Sequence, residues 1–172
     1  DSSDARQIVI LLILLALSAF FSSAETCLTT VNKMRIKSLA DDKNKNASLV
    51  LKLIEEKTQM LSAILIGNNV VNLSASSLTT TFAMKLAKSS GMSDSVSAIT
   101  GIITILVLIF GEIIPKSLAT MNAERLSLIY AKPIYGLTNI LRPISFLMNQ
   151  LSNGLMHLLH VKSNHSPAIT EG

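Results

Sequence analysis

Three long stretches with almost no charge dominate the hydrophobic pattern of this chain. Residues 7–32 contain one charged side chain, Glu25, residues 58–84 contain none, and residues 95–115 contain one, Glu112. A helix needs about 20 apolar residues to cross the hydrocarbon core of a bilayer, and each stretch is long enough. The pattern therefore predicts membrane spans at about 8–28, 60–84 and 96–115.

Lysine and arginine are distributed unevenly around these predicted spans. Between the first and second spans lie Lys33, Arg35, Lys37, Lys43, Lys45, Lys52 and Lys57. Between the second and third spans lie only Lys85 and Lys88, and basic residues return after the third span. Because basic loops stay in the cytoplasm, this asymmetry predicts an external N-terminus and a cytoplasmic C-terminus. Segments 33–57 and 116–172 are then both cytoplasmic.

The segment 126–160 is amphipathic and less apolar than the predicted spans. Its apolar residues recur at helical spacing, but Arg142 interrupts the run, and Pro133 and Pro143 are expected to break or kink the helix. An arginine at the bilayer centre costs about 2.5–3.5 kcal/mol. The pattern therefore favours a helix at the inner membrane interface over a fourth span, and segment 33–57 has the same character.

The composition agrees with a membrane domain. Charged residues make up 15% of the 172 residues and hydrophobic residues 49%, whereas soluble domains carry about 25% charged residues. The single cysteine, Cys27, excludes an internal disulfide and a multi-thiolate metal site. We expect an all-α membrane protein with three transmembrane helices per protomer and amphipathic juxtamembrane helices forming a belt. Residues 1–160 are predicted to form this domain, and the polar tail 161–172 is predicted to link it to a cytoplasmic domain outside this chain.

Each predicted span carries polar groups, which need partners because an unsatisfied polar group in hydrocarbon is costly. The first span has Ser22, Ser23 and Glu25, the second has Asn68 and Asn72, and the third has Gly111, Glu112 and Pro115. Asn68 and Asn72 are spaced i, i+4 and share one helix face. Since the second span runs opposite to the other two, all three clusters are expected to meet in the inner half of the bundle.

Pro115 is expected to expose a backbone oxygen. It has no N–H, so the carbonyl four residues earlier, that of Gly111, loses its helical donor. Hydroxyls, amide oxygens, carboxylates and a freed carbonyl form an all-oxygen set, which suits a hard cation such as Mg²⁺ or Na⁺. The predicted metal ligands are Ser22, Ser23, Glu25, Asn68, Asn72, Gly111, Glu112 and Pro115.

Other interpretations of these residues remain open. Glu25 can face lipid headgroups, the asparagines can hold helices together, and Pro115 can be a simple kink. An intramembrane hydrolase with Ser22 or Ser23 as nucleophile is disfavoured, because no predicted span contains a histidine base and the chain has no G-x-S-x-G motif. The sequence therefore predicts that the protein is not an enzyme.

The same polar residues lie in motifs that resemble a known family. F-F-S-S-A-E-T followed by N-K-M-R, then I-G-N-N-V-V-N, then F-G-E-I-I-P-K-S, in this order and spacing, resembles the transmembrane domain of the CorC/CNNM (cyclin M) Mg²⁺ transporters. The resemblance covers about residues 10–160. Family members often have serine immediately before the first-span glutamate, where this chain has Ala24, so which first-span hydroxyl is a ligand stays open.

The resemblance implies a homodimer in the lipid bilayer of the cell membrane, with the ion held by polar residues of all three spans. It implies export of Mg²⁺ coupled to entry of Na⁺, with no role for nucleic acid. It also implies a cytoplasmic pair of CBS domains, which is absent from this chain. The leading hypothesis is a Mg²⁺ transporter that works by alternating access through an inner-half polar site. The alternative is a membrane anchor and ion sensor for a cytoplasmic regulatory domain.

Overall fold

The computed structural model describes residues 2–89, 91 and 96–159, and no strand occurs among them. The helices are α1 (Ser2–Thr30), α2 (Lys33–Asp41), α3 (Lys45–Glu55), α4 (Lys57–Ser89), α5 (Val96–Leu108), a π-helical turn (Ile109–Ile113), α6 (Ile114–Met121) and α7 (Ala123–Leu158). Three helical segments are long and apolar enough to cross a membrane: Asp4–Thr30, Lys57–Ser89 and Val96–Met121. The predicted all-α fold with three spans is confirmed. The predicted tail 161–172 lies outside the described residues.

Helices α1 and α4 pack antiparallel. At one end, Lys85 Nζ lies 3.1 Å from Gln7 Oε1. Eleven residues further along α1, Ser18 Oγ lies 2.9 Å from Asn72 Oδ1. The contacts advance along α1 as they move back along α4, as expected for spans of opposite direction.

Gly67 allows α1 and α4 to approach closely in their predicted inner halves. A Cβ atom on Gly67 would lie 2.6 Å from Phe21 Cζ, so the aromatic ring lies against the bare backbone of α4. Phe20 stacks edge-on against both Phe21 and Tyr130 of α7, with ring centroids 5.3 and 5.0 Å apart. Helix α7 is thereby fixed against the same end of α1.

Segment 33–57 forms two short helices, each begun by an asparagine. The Asn32 side chain accepts hydrogen bonds from the first backbone amides of α2, and Asn44 does the same for α3. Such caps satisfy amides that have no partner inside the helix. Lys43, between the two helices, has a φ of 64°. The buried faces of α2 and α3 carry Ile36, Ala47, Val50 and Leu53.

Helix α7 continues from Ala123 to Leu158 without interruption, although Pro133 and Pro143 lie inside it. The sequence predicted a break or a kink at these prolines; the break does not occur, and the kink stays a prediction. Each proline removes one backbone hydrogen bond, but packing of buried residues such as Ala131 and Ile134 holds this face of the helix against its neighbours. Tertiary contacts override the local preference of proline here.

Arg142 lies at the level where α4 begins. Its guanidinium forms an ion pair over 2.6 Å with Glu56, the residue between α3 and α4. This position keeps Arg142 at one end of the second span and away from its centre. It agrees with the predicted interfacial position of α7, which remains a prediction.

Candidate functional site

Ser18 joins all three spans. Its hydroxyl donates a hydrogen bond to Asn72 Oδ1 of α4 and lies 3.5 Å from the Gly111 carbonyl oxygen of the third span. Ser18 is only 4% exposed. Three oxygen atoms, from the Ser18 hydroxyl, the Asn72 amide and the Gly111 carbonyl, therefore lie close together between the helices.

Gly111 permits the close contact between α1 and the third span. A Cβ atom there would lie 3.1 Å from Ser18 Oγ and 3.2 Å from Leu15 Cδ1. The surrounding turn is π-helical, and the Ile114 amide bonds to the Ile109 carbonyl five residues earlier. Single π-helical turns occur frequently at functional sites. The hydropathy pattern does not predict this turn.

A cavity of about 160 Å³ lies beside the Ser18 hydroxyl. Its lining residues with side-chain oxygens are Ser18, Asn72, Ser76, Thr79, Thr104 and Glu112, and its apolar lining residues are Ala75, Val107 and Leu108. The volume is well above the roughly 10–15 Å³ that one water molecule needs. The cavity therefore has room for a cation together with water molecules.

A second level of oxygens lies one helical turn further toward the predicted inner end. Ser22 follows Ser18 by four residues on α1, and Asn68 precedes Asn72 by four residues on α4. Since the two helices are antiparallel, Ser22 and Asn68 lie at about the same depth. The Ser22 hydroxyl and the Asn68 Oδ1 atom are buried, and neither has a hydrogen-bond partner among the described residues. An unpaired buried oxygen costs about 1–3 kcal/mol, so both are available to a cation or to water.

Lys116 connects the two carboxylates of the spans. Its Nζ atom lies 3.0 Å from Glu112 Oε1 and 3.9 Å from Glu25 Oε2. The side chains of Lys116, Glu112 and Glu25 are 38%, 39% and 45% exposed. Glu112 thus contacts a lysine on one side and lines the cavity on the other. The sequence pattern predicts both carboxylates at one depth but does not indicate the lysine between them.

Two of the predicted ligands face another part of the molecule. Ser23 and Pro115 line a groove of about 710 Å³ between α1, α6 and α7. The Ser23 hydroxyl is already bonded to the Ala19 carbonyl at 2.7 Å and lies 3.2 Å from the Tyr130 hydroxyl. The structure therefore does not bring Ser23 or Pro115 to the cavity beside Asn72.

The remaining predicted residues lie close to one another, together with residues that the sequence analysis missed. Asn72 and Glu112 line the cavity, and the Gly111 carbonyl contacts the Ser18 hydroxyl beside it. Asn68 and Ser22 lie one helical turn further toward the predicted inner end. Glu25 lies within 3.9 Å of Lys116 Nζ, which also contacts Glu112. The side-chain oxygens that line the cavity but are not among the predicted ligands belong to Ser18, Ser76, Thr79 and Thr104. Ser18 carried a usable signal, since it lies one turn before Ser22 on the same face of α1.

The carboxylates alone do not make a metal site. Within the part of the chain that the structure describes, no group of three or more His, Cys, Asp or Glu side chains could hold a metal ion. A cation bound here would rely on one carboxylate and several neutral oxygens. Such ligand sets are typical of hard cations.

Comparisons with known proteins agree with the family that the sequence motifs indicate. The family model described as the cyclin M transmembrane N-terminal domain matches residues 9–172. A UPF0053 protein of Haemophilus influenzae is 40% identical over 154 residues, which cover 90% of this chain and 36% of that protein. A chloroplastic DUF21 domain-containing protein of Arabidopsis thaliana is 38% identical over 96% of this chain and 25% of its own length. The inner membrane protein YfjD of Escherichia coli is 34% identical over 86% of this chain and 34% of its own length.

Proposed function

This chain belongs to the family of cyclin M transmembrane N-terminal domains, and we propose on that basis that it binds Mg²⁺ and carries it across the membrane. The observation that supports the proposal most directly is the cavity beside Ser18. There, oxygens from all three spans surround a space large enough for a cation with water molecules. Mg²⁺ prefers oxygen ligands and usually keeps several of its own waters.

The roles of the residues follow from their chemistry. Glu112 supplies the negative charge, while Asn72 and Ser18 supply neutral oxygens beside it. Asn68 and Ser22 offer a second set of oxygens one turn toward the inner end. An ion entering from the inner side would meet this second set first and the cavity next.

The proposed transport is export by alternating access, with Na⁺ entry as the driving reaction. The spans would rearrange around the cavity so that it opens alternately to the two sides. Neutral oxygens and one carboxylate also suit Na⁺, so one site could serve both ions in turn. Export and Na⁺ coupling rest on the family resemblance.

The proposed setting is a homodimer in the cell membrane, with the N-terminus outside and the C-terminus in the cytoplasm. The third span has few buried residues and presents Ile102, Ile105, Phe110 and Ile113 to its surroundings. These apolar side chains suit lipid or a second protomer. The relatives are about three to four times longer than the aligned region, which leaves room for the proposed cytoplasmic CBS-pair domain.

Flux through liposomes tests the proposal. The full-length protein, purified and reconstituted, is expected to move Mg²⁺ down an imposed gradient, and Glu112→Gln is expected to lose most of this flux and most Mg²⁺ binding by calorimetry. Asn72→Ala should weaken binding less, because a neutral oxygen contributes less than a charge. The control Glu124→Gln removes a carboxylate of similar exposure that pairs with Arg35 far from the cavity.

The outcomes separate the two candidate functions. Mg²⁺ binding that depends on Glu112 without any flux would favour a membrane anchor and ion sensor. Normal binding and flux in well-folded Glu112→Gln would remove the cavity from the mechanism.

A further inference from the structure

Lys116 occupies an unusual electrostatic position. Among the described residues it is the only base with two carboxylates within 4.0 Å, since Arg35 and Arg142 each pair with one glutamate. It follows Glu112 by one helical turn, a spacing that brings the two side chains onto one face. Glu25 reaches the same ammonium group from α1.

The Glu112 carboxylate is shared between Lys116 and the cavity. One of its oxygens, Oε1, lies 3.0 Å from Lys116 Nζ, while the residue also lines the cavity with Asn72 and Ser76. A divalent cation bound beside Glu112 would lie close to the lysine ammonium. Because like charges at such separations repel strongly where water is scarce, the two cations compete for one carboxylate.

Glu25 offers the displaced lysine another partner. Its carboxylate is already 3.9 Å from Lys116 Nζ, and lysine has a long, flexible stem with a compact charged end. With the ion on Glu112 and the lysine on Glu25, each carboxylate has a cation. Without Glu25, ion binding would leave the lysine ammonium beside the ion with no carboxylate of its own.

We propose that Lys116 neutralises Glu112 while the cavity holds no divalent cation and moves to Glu25 when Mg²⁺ binds. Glu25 is then a positioning residue that acts through Lys116 and is not a ligand of the ion. This inference rests on the proposed function of the cavity. In a transport cycle, the returning lysine would help to expel the ion and prevent a bare Glu112 carboxylate from trapping it.

The central test is a double-mutant cycle on the full-length protein, with Mg²⁺ affinity measured by calorimetry. Lys116→Gln is expected to bind Mg²⁺ on the order of tenfold more tightly than the wild type, because the competing charge is gone. Glu25→Gln is expected to bind several-fold more weakly, because the lysine then has no alternative to Glu112. In the Lys116→Gln background, Glu25→Gln should have no effect. If Glu25 ligated Mg²⁺ directly, Glu25→Gln would weaken Mg²⁺ binding equally in the wild-type and Lys116→Gln backgrounds.

Further variants separate competition from structural damage. Lys116→Arg keeps the charge and should bind Mg²⁺ no more tightly than the wild type. Lys85→Gln is the matched control, since it removes a lysine of similar exposure from an ion pair at the opposite end of the bundle. If Lys116→Gln does not fold, Lys116→Met removes the same charge and retains an apolar stem.

Different results would overturn the lysine exchange and the proposed function. Wild-type protein that binds Mg²⁺ through Glu112, together with Lys116→Gln or Lys116→Met that binds equally or more weakly, overturns the lysine exchange and leaves the proposed function standing. An equal effect of Glu25→Gln in both backgrounds overturns the positioning role of Glu25. Wild-type protein that does not bind Mg²⁺ overturns the proposed function and this inference with it.

Discussion

Ser18 donates a hydrogen bond to Asn72 Oδ1 across 2.9 Å, and this pair holds the first and second spans together at the depth of the cavity. The Gly111 carbonyl of the third span lies 3.5 Å from the same hydroxyl. One small side chain thus contacts both of the other spans. Lipid offers no hydrophobic drive for helices to associate, so packing and interhelical hydrogen bonds hold membrane helices together.

Removing the Ser18 hydroxyl should reduce stability. Ser18→Ala is expected to lower the free energy of unfolding by about 0.6 kcal/mol, the average for hydrogen bonds between membrane helices, and by at most about 1.7 kcal/mol. Denaturation in detergent checks this. Ser74→Ala is the control, because the Ser74 hydroxyl donates to the Val70 carbonyl of its own helix, its one hydrogen bond within the described part of the chain. An equal effect of the two substitutions would show that Ser18 does not join the spans.

Ser22→Ala should lower Mg²⁺ affinity without lowering stability. The Ser22 hydroxyl is buried and has no hydrogen-bond partner among the described residues, so its removal should leave the free energy of unfolding unchanged or raised. If the inner oxygens contact the ion, Mg²⁺ affinity measured by calorimetry should fall. Asn68→Ala should lower affinity in the same way. Unchanged Mg²⁺ affinity in both variants would show that the ion contacts only the cavity beside Asn72 and not Ser22 or Asn68.

Adding a methyl group at Gly111 should disturb the contact between α1 and the third span. Gly111→Ala places a Cβ atom 3.1 Å from Ser18 Oγ, and overpacking of this kind typically costs about 1–3 kcal/mol. Gly101→Ala, on the same span, places its new Cβ more than 4 Å from every described atom outside the adjacent helix backbone and the neighbouring residues. That control should be neutral or should stabilise the helix by up to about 1 kcal/mol. Thermal unfolding compares the two variants directly, and equal stability would contradict the close approach at Gly111.

The predicted orientation can be checked by thiol labelling in a Cys27→Ala background. Lys45→Cys, between the first and second spans, should resist an impermeant reagent added to intact cells, because the basic segment is predicted to be cytoplasmic. Ser89→Cys, at the far end of α4, should be labelled from outside. Labelling at Lys45→Cys but not at Ser89→Cys would reverse the topology and place the second set of oxygens at the outer side.

Hydropathy in the sequence determined the three spans, because crossing a bilayer requires a long apolar helix whatever its neighbours are. It also indicated which helices carry the candidate site, since polar groups in hydrocarbon need partners. Asn72, Gly111 and Glu112 were predicted in this way, and the structure places them around one small region; their role as ligands stays a prediction. The family followed from the same motifs and was confirmed.

Tertiary structure decided how each helix is rotated about its axis, and thus which polar residues meet. Ser18 faces the cavity while Ser23, five residues later, lies on another side of α1 against Tyr130. Lys116 joins Glu25 to Glu112 only because α1 and the third span lie side by side. A helical pattern fixes the angle between residues on one helix, but rotation depends on contacts between helices, here on the bare backbones of Gly67 and Gly111. Those contacts join residues far apart in sequence, so periodicity along one helix does not reveal them.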